Sequence, residues 1–328
     1  MSFETAKKGV DLLKSLSVED KTVQISFYGG EPLLAEELVR KTALYADRIL
    51  HKESGKKVLF EMTTNGLLLT EDFIKFTKGY HFLIALSHDG ISHNLTRCNT
   101  LTQAESALDL LLKHFPSTPI MMTIHPDCVE NLSASCEYFY SRGVRKIIFT
   151  PANGKKSLWT DSKLETLKRE LRLTADIYVK YNQGNKSFCI VPFENKIRQY
   201  VNNKTDANAD CALNSNKILI DSDGTFYPCM HFIGRNEFEC GNICSAPNWD
   251  KLSKFESERT KQNECSECAL KTRCSHSCAC ANHGFSGSLC NPSDFQCEYE
   301  QTLITLADKA AEQLINEQNV TYIKRIYG

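Results

Sequence analysis

The sequence predicts an α/β fold, a parallel sheet or partial barrel with right-handed crossovers, followed by a cysteine-rich metal-binding region and a closing helix. Three observations carry that reading. Short apolar runs rich in β-branched and aromatic residues take turns with helical patterns from Ser2 to about Pro151. The pattern then changes to a long helix and a polar, Asn-rich stretch. Beyond it, seven cysteines (Cys211, Cys229, Cys265, Cys268, Cys274, Cys278 and Cys297) stand at short, uneven spacings.

Taken in order, the strands are expected at Val23 to Tyr28, Lys57 to Thr63, Phe82 to Ser87, Pro119 to Ile124 and Lys146 to Thr150. Each is a short run of the kind buried on both faces of a parallel sheet. Between them, Leu34, Leu38, Tyr45 and Ile49 fall on one helical face. Leu101, Ala104, Leu108, Leu111 and Phe115 form another, and Leu132, Cys136 and Phe139 a third. Leu164, Leu167, Leu171 and Tyr178 predict a long helix, Asn202 to Asp210 a linker, and Leu303, Ala307, Leu314 and Ile315 the closing helix. The region from Cys211 onward has few bulky apolar residues between its cysteines, so metal binding is expected to supply much of its folding energy.

Composition narrows the class. The chain has 328 residues, 41% of them hydrophobic and 24% charged, enough for one large or two medium cores. Its fifteen cysteines are an odd number, and Met1 to Val10 carry no signal-peptide pattern. A disulfide framework is therefore disfavoured, and a reducing cytoplasm is expected. A net charge of -1 is no footprint for nucleic acid or an anionic membrane surface, and no apolar stretch approaches a membrane span.

The run Cys265-x2-Cys268-x5-Cys274-x3-Cys278, with Cys297 after it and Cys211 and Cys229 before it, reads as a wrapped metal site. Seven thiols exceed the four that one zinc ion or one cubane cluster takes, so two centres are expected. Iron-sulfur and zinc both suit such thiols. Cys98, Cys128, Cys136 and Cys189 read as core residues. His88, His125, His231, His276 and His283 read as loop or satisfied polar residues and offer no rival metal site.

Chemistry in an α/β sheet gathers in the loops beyond the carboxyl ends of the strands. Three motifs fall there. In Phe27-Tyr28-Gly29-Gly30-Glu31-Pro32 the glycines let backbone approach a ligand and Glu31 offers a carboxylate to a cationic group. Thr63-Thr64-Asn65-Gly66 ends the next strand in a polar turn. Ser87-His88-Asp89-Gly90, with Arg97 downstream, holds groups suited to a ribose and an α-carboxylate. Taken alone, the first reads sooner as an ordinary Gly-Gly turn, the second as a common Asn-Gly turn, and the third equally well as a solvated loop.

The order of the three, followed by the cysteine pattern, resembles the radical S-adenosylmethionine (SAM) enzymes with a SPASM domain, a superfamily of peptide maturases that includes anaerobic sulfatase maturases. The resemblance covers nearly the whole chain. Its most specific part is Cys211, twelve residues, Gly224, four residues and Cys229, then the run above. It implies a partial (β/α)6 TIM-like barrel missing its first strand over 1–200, with a trailing helix. A SPASM auxiliary iron-sulfur domain would follow over 211–300 and a C-terminal helix over 300–328. By the same resemblance Gly29, Gly30 and Glu31 would hold the methionine amino group of SAM, with Thr64 and Asn65 in the same site. Ser87 and Asp89 would lie at the ribose and Arg97 at the carboxylate. One 4Fe-4S cluster would sit on Cys265, Cys268, Cys274 and Cys297. A second would sit on Cys211, Cys229 and Cys278, its fourth position left to a substrate thiolate or to Cys240 or Cys244, with Cys280 and Cys290 as spare thiols.

One departure matters. The family opens with a strand and a CxxxCxxC motif for the cluster that reduces SAM, and this chain has no such motif. The expectation is a fragment of such an enzyme, with that strand and cluster outside the given sequence and the Val23 strand an unpaired edge. This chain alone is not expected to cleave SAM. With the segment restored, the resemblance implies a 5′-deoxyadenosyl radical that abstracts hydrogen from a ribosomally made peptide. It further implies a flavodoxin- or ferredoxin-type electron donor. A cysteine-containing substrate and thioether crosslinks are favoured, because sulfatase maturases tend to carry an acidic residue directly after the cysteine matched by Cys229. Here Met230 and His231 follow. Formylglycine formation, and a non-catalytic iron-sulfur or zinc peptide-interaction module, stay open.

Overall fold

A computed structural model describes residues 1–153, 159–184, 186–201, 217–261, 264–275, 278–317 and 319–327. The chain runs α1 (Phe3–Leu16), β1 (Thr22–Phe27), α2 (Glu36–Ala46), β2 (Lys57–Thr64), α3 (Glu71–Lys78) and β3 (His81–Ser87). It continues through α4 (His93–Thr96), α5 (Leu101–His114), β4 (Ile120–Ile124), α6 (Leu132–Ser141), β5 (Lys146–Pro151), α7 (Asp161–Lys180), β6 (Cys189–Ile190) and α8 (Val191–Val201). Short pairs follow, β7 (Leu219–Ile220) with β8 (Phe226–Tyr227) and β9 (Gly241–Asn242) with β10 (Ala246–Pro247). The remaining helices are α9 (Trp249–Arg259), α10 (Ala279–Ser286), α11 (Asp294–Asn316) and α12 (Val320–Tyr327).

The fold is α/β, with a six-stranded sheet whose strands follow one another in chain order from β1 to β6. The described pairings between these strands are parallel. The chain divides into two compact units, 1–86 with 212–257 and 87–211 with 258–328.

In the first unit, β1 pairs with β2 from Thr22↔Lys57 to Phe27↔Met62, so both strands end at the same level. Val23, Val58 and Phe60 bury against Val10 of α1 and Ala43, Ala46 and Leu50. Phe60 and Phe82 stack at 4.9 Å, with Phe27 stacked on Phe82 at 6.0 Å. Good helix N-terminal signals frame this layer: Ser2 caps α1 and Thr70 caps α3 through side-chain oxygens. The buried Lys56 ammonium donates to the carbonyls of Ser17, Val18 and Asp20, which fixes the turn between α1 and β1.

In the second unit, β4, β5 and β6 bury Ile120, Met122, Ile124, Ile147, Phe149 and Ile190, with α8 packed on β5 and β6. α11 packs along α7 and α8. Its start is set by a capping box: Ser293 Oγ accepts from Gln296 N, and the Gln296 side chain accepts from Ser293 N at 2.9 Å. α12 returns against α8, where Arg325 pairs with Glu194 at 2.7 Å, and its Tyr322 meets Tyr178 of α7 edge-on.

All five predicted strands form, within one or two residues of the expected ends. Three expectations change. The helix after β1 buries Val39, Thr42, Ala43 and Ala46, whereas Leu34 is 80% exposed and Leu38, Tyr45 and Ile49 are half-buried. The small alanines let the helix axis approach the sheet, and the larger residues ride the margins of that face. β6, with only two residues and running straight into α8, is too short for a periodicity signal. Cys98 is exposed in a loop with φ +50°, not a core residue, while Cys128 and Cys136 are buried as expected. The expected linker, Asn202 to Asp210, lies outside the described residues. No described helix is long and apolar enough to cross a membrane.

Candidate functional site

In the first unit, Gly29-Gly30-Glu31 follows β1 and Thr64-Asn65 closes β2. Gly29 has φ +152°, which a side chain disfavours, yet a Cβ added at either glycine would meet nothing within 4 Å. The two peptides form an open shelf. Glu31 does not hang free beside it. Its Oε1 accepts from Leu33 N at 3.0 Å and from Thr64 Oγ1 at 2.7 Å, and its Oε2 accepts from Asn65 N at 2.7 Å. Three of a carboxylate's roughly four acceptor positions are thereby used within the protein. Thr64 is almost fully buried, and its Oγ1 also accepts from Gly66 N at 3.0 Å. Asn65 Oδ1 accepts from Leu67 N at 2.9 Å. A single carboxylate thus ties the loop after β1 to the loop after β2.

In the second unit, Ser87 is half-buried and Asp89 is 4% exposed. Arg97 grips Asp89 with Nε to Oδ2 at 2.7 Å and a terminal nitrogen to Oδ1 at 3.2 Å. Thr96 Oγ1 donates to Oδ2 at 2.7 Å, and Thr123 N donates to Oδ1 at 3.0 Å. Burial pushes the Asp89 carboxyl up, but Arg97, Thr123 and Thr96 together hold it below its ordinary value. Asp89 and Arg97, assigned by resemblance to ribose and carboxylate, are turned toward each other. The pair organises the loop and leaves part of Arg97, 28% exposed, on the surface.

Two histidines shape the same turn. His88 Nδ1 accepts from Gly90 N at 3.0 Å and His93 Nδ1 accepts from Asp89 N at 3.3 Å. His88 is fully buried against His93 and Phe139, and among the described residues its Nε2 has no partner. Burial, reinforced by His93, drives the His88 pKa down to about 3, so the ring stays neutral. The sequence reading of His88 as a loop or satisfied polar residue holds, since it follows β3 and its Nδ1 accepts from Gly90 N, while its complete burial is new. Gly90, at φ +64°, lies so close to α6 that a Cβ would come 2.3 Å from Ser135 Cβ and Oγ.

Cys211 lies outside the described residues. In the first unit Cys229 is buried, and Cys240 is fully buried with its Sγ 3.3 Å from Phe238 O. Burial raises the Cys240 thiol above its ordinary value, as suits a core residue. Cys244 is exposed at the β9–β10 turn, 3.4 Å from Lys8 Nζ. In the second unit, Cys265 and Cys268 share one turn, with Cys268 N donating to Cys265 O at 3.1 Å. Burial raises the Cys265 thiol, and the neighbouring Cys268 and Cys297 add to the rise. Cys297 sits in the first turns of α11 and accepts from Gln301 at 3.1 Å.

Cys278 caps α10, and its Sγ stands 3.5 Å from Cys280 Sγ. That neighbour, against burial, draws the Cys278 thiol down to about 6. Cys290 faces Ser288 Oγ at 3.5 Å and Asn291 Oδ1 at 3.7 Å. Among the described residues no three His, Cys, Asp or Glu side chains close into a metal-holding array. Cys268 and Cys297 nonetheless lie near enough to Cys265 to act on its thiol. Soft sulfur donors of this kind fit an iron-sulfur cluster or zinc.

The loop beyond β5 reaches this region. Gly284 of α10 packs so tightly on Asn153 that a Cβ would fall 2.0 Å from Asn153 Oδ1, and Asn153 Nδ2 donates to Cys280 O at 3.4 Å. The helix that starts at Cys278 is therefore seated on the carboxyl end of a sheet strand. Nothing in the local sequence signals Asn153 or Gly284.

Residues 2–139 match the family model described as the radical SAM superfamily. Among curated proteins, the chain is 25% identical over 244 residues to a cysteine-type anaerobic sulfatase-maturating enzyme of Clostridium perfringens (strain 13 / Type A), covering 70% of this chain and 64% of that protein. It is 22% identical over 280 residues to a serine-type anaerobic sulfatase-maturating enzyme of Klebsiella aerogenes, covering 79% and 67%. Among solved structures it superposes on native anSMEcpe with bound AdoMet and Cp18Cys peptide at a TM-score of 0.80, 21% identity, covering 98% of this chain and 92% of that one. With Streptococcus suis SuiB bound to precursor peptide SuiA the TM-score is 0.60 at 15% identity, over 88% and 68%. The likeness to these structures is one of fold.

Proposed function

We propose that this chain, with its radical SAM match and its fold, belongs to a radical SAM maturase that modifies a peptide and carries two cysteine-held auxiliary centres. The observation that carries this reading is the seating of α10 on the loop after β5, which sets the Cys278 segment at the end of the sheet where chemistry gathers. Two of the similar solved structures hold peptides, which supports a peptide or protein as substrate.

In this reading the partial barrel spans 1–200, the cluster domain 211–300 and the closing helix 300–328. Gly29 and Gly30 supply backbone approach for SAM, and Glu31 with Thr64 and Asn65 holds that approach in shape. Ser87 offers a hydroxyl, while Asp89 and Arg97 fix the loop that presents it. Cys265, Cys268, Cys274 and Cys297 would hold one cluster, and Cys211, Cys229 and Cys278 the other, with Cys240, Cys244, Cys280 and Cys290 outside the main set. Bound SAM and its reducing cluster would supply the hydrogen-abstracting radical, and a low-potential flavodoxin or ferredoxin the electron. Thiols of this kind need a reducing cytoplasm.

Thioether formation on a cysteine-containing peptide is the product favoured by Met230 and His231 after Cys229. Formylglycine formation is the second reading, favoured by similarity to both sulfatase-maturating enzymes. Mass spectrometry separates them: a form carrying the CxxxCxxC segment, given SAM, reductant and a cysteine peptide, should remove two hydrogens while keeping sulfur. Sulfur exchanged for oxygen together with the loss of two hydrogens establishes formylglycine, and unchanged mass on every cysteine peptide tried rejects both.

Two further outcomes are expected. Anaerobic reconstitution should load about eight irons with matching sulfide per chain, and about two zinc ions instead would leave a binding module. Gly30→Val should leave the melting temperature within experimental scatter, because its Cβ position is open, while weakening SAM binding by at least about tenfold in calorimetry. Unaltered SAM affinity would remove Gly30 from the site.

A further inference from the structure

Lys196 on α8 and Glu300 on α11 form an ion pair, Nζ to Oε2 at 2.6 Å, with side chains only 5% and 12% exposed. Neither belongs to any motif of the sequence. What the pair holds is backbone. Lys196 Nζ donates to Arg273 O at 2.8 Å, and Glu300 Oε2 accepts from Ser275 N at 3.0 Å. Those two groups lie immediately before and immediately after Cys274. Lys196 Nζ also reaches Ser275 Oγ at 3.3 Å.

Arg273 closes the arrangement from the other side. Its guanidinium donates to Lys196 O at 3.1 Å and to both oxygens of Asp308, on α11, at 2.6 and 2.9 Å. α11 also carries Cys297, three residues before Glu300 and therefore on the same helical face. One helix thus presents a thiol and, one turn on, the carboxylate that fixes the loop bearing another thiol. A buried ion pair is costly to desolvate and is a poor device for stability alone, whereas it sets geometry sharply.

We propose that Lys196 and Glu300 are positioning residues for a metal centre on Cys265, Cys268, Cys274 and Cys297, setting the Cys274 backbone at a fixed place relative to Cys297. They touch no metal and act through the peptide groups flanking Cys274. The inference rests on the reading above that these thiols hold a metal. Partners outside the ligand shell are known to govern how tightly a site retains its metal.

The test compares anaerobically reconstituted wild-type chain with Lys196→Met/Glu300→Gln, Glu300→Gln and Lys196→Arg. A wild type that takes up no metal disposes of the metal reading itself, independently of the pair. With the wild type loaded, the double variant should surrender the metal of one centre to a chelator at least about tenfold faster, while the other centre keeps its rate and spectrum. Cys274 should become open to alkylation in the loaded protein while Cys278 stays protected, and Lys196→Arg should retain metal like the wild type. Equal release rates with Cys274 still protected overturn the proposal. So does equal acceleration at both centres, which would mark a general loosening. Should the double variant fail to fold by circular dichroism, the isosteric Glu300→Gln, read in the same ways, decides.

Discussion

Asp89→Ala should lower the free energy of unfolding by about 3–5 kcal/mol at neutral pH, the range found when one partner of a buried pair is removed. The substitution strips Arg97 of its bidentate partner, Thr96 of its acceptor and Thr123 N of the oxygen that ties the turn after β3 to β4. Its acid behaviour carries a second signature. The Asp89 pKa is held below its ordinary value in the folded protein, so its stabilisation is present above the ordinary aspartate pKa and is lost as pH falls through the lower folded one. His88 acts over a different window. With a folded pKa of about 3 against an ordinary 6.5, it takes its proton first in the unfolded chain, so stability declines as pH falls from 6.5 toward 3. Urea unfolding across pH should therefore show, in Asp89→Ala, a smaller acid decline than in the wild type, with the decline over the histidine window kept. A variant that keeps wild-type stability at pH 7 would remove Asp89 as the tie of this loop.

Gly90→Ala should cost about 2–5 kcal/mol, combining overpacking with a left-handed backbone that alanine disfavours. The new Cβ would lie 2.3 Å from both Ser135 Cβ and Oγ and 3.2 Å from Ser135 Cα, and the last is backbone that cannot rotate away. Ser135→Gly should relieve the closest contacts but loses the bond from Ile91 N to Ser135 Oγ. In a double-mutant cycle by urea unfolding, the two substitutions should couple favourably by at least about 1 kcal/mol. Strict additivity would mean that the strain lies in the backbone alone.

Much of the fold could be read from the chain because buried parallel strands announce themselves as unbroken apolar runs. Phe82 to Ser87 and Lys146 to Thr150 are of this kind, and each forms within a residue of the expected bounds. Periodicity is weaker where helix faces mix small and large residues. It selected Leu38 and Tyr45 for a face that in fact buries Ala43 and Ala46, because close approach to the sheet favours the smaller side chains.

The site divides in the same way. Its turn motifs were visible as Gly-Gly-Glu-Pro, Thr-Asn-Gly and Ser-His-Asp-Gly, since backbone freedom and turn chemistry are local properties. Partner choice is not local. Arg97 stands eight residues from Asp89 and was assigned outward, to a ligand, whereas the loop folds it back onto the carboxylate. Lys196 reaches Arg273 O across 77 residues, and no spacing rule joins them. His88 gave no sign of its burial, because a histidine beside a turn looks the same in sequence whether it points to solvent or to Phe139.

The Glu31 carboxylate bears on how a ligand would be received. Because it already joins the loops after β1 and β2, the glycine shelf takes its shape as the chain folds and not as a guest arrives. Association on such a preorganised surface loses little conformational freedom, so affinity tracks the contacts a ligand makes there and not the work of arranging the loops. Cutting the brace would shift that ordering to the binding step and appear in calorimetry as a larger entropic penalty at nearly the same enthalpy.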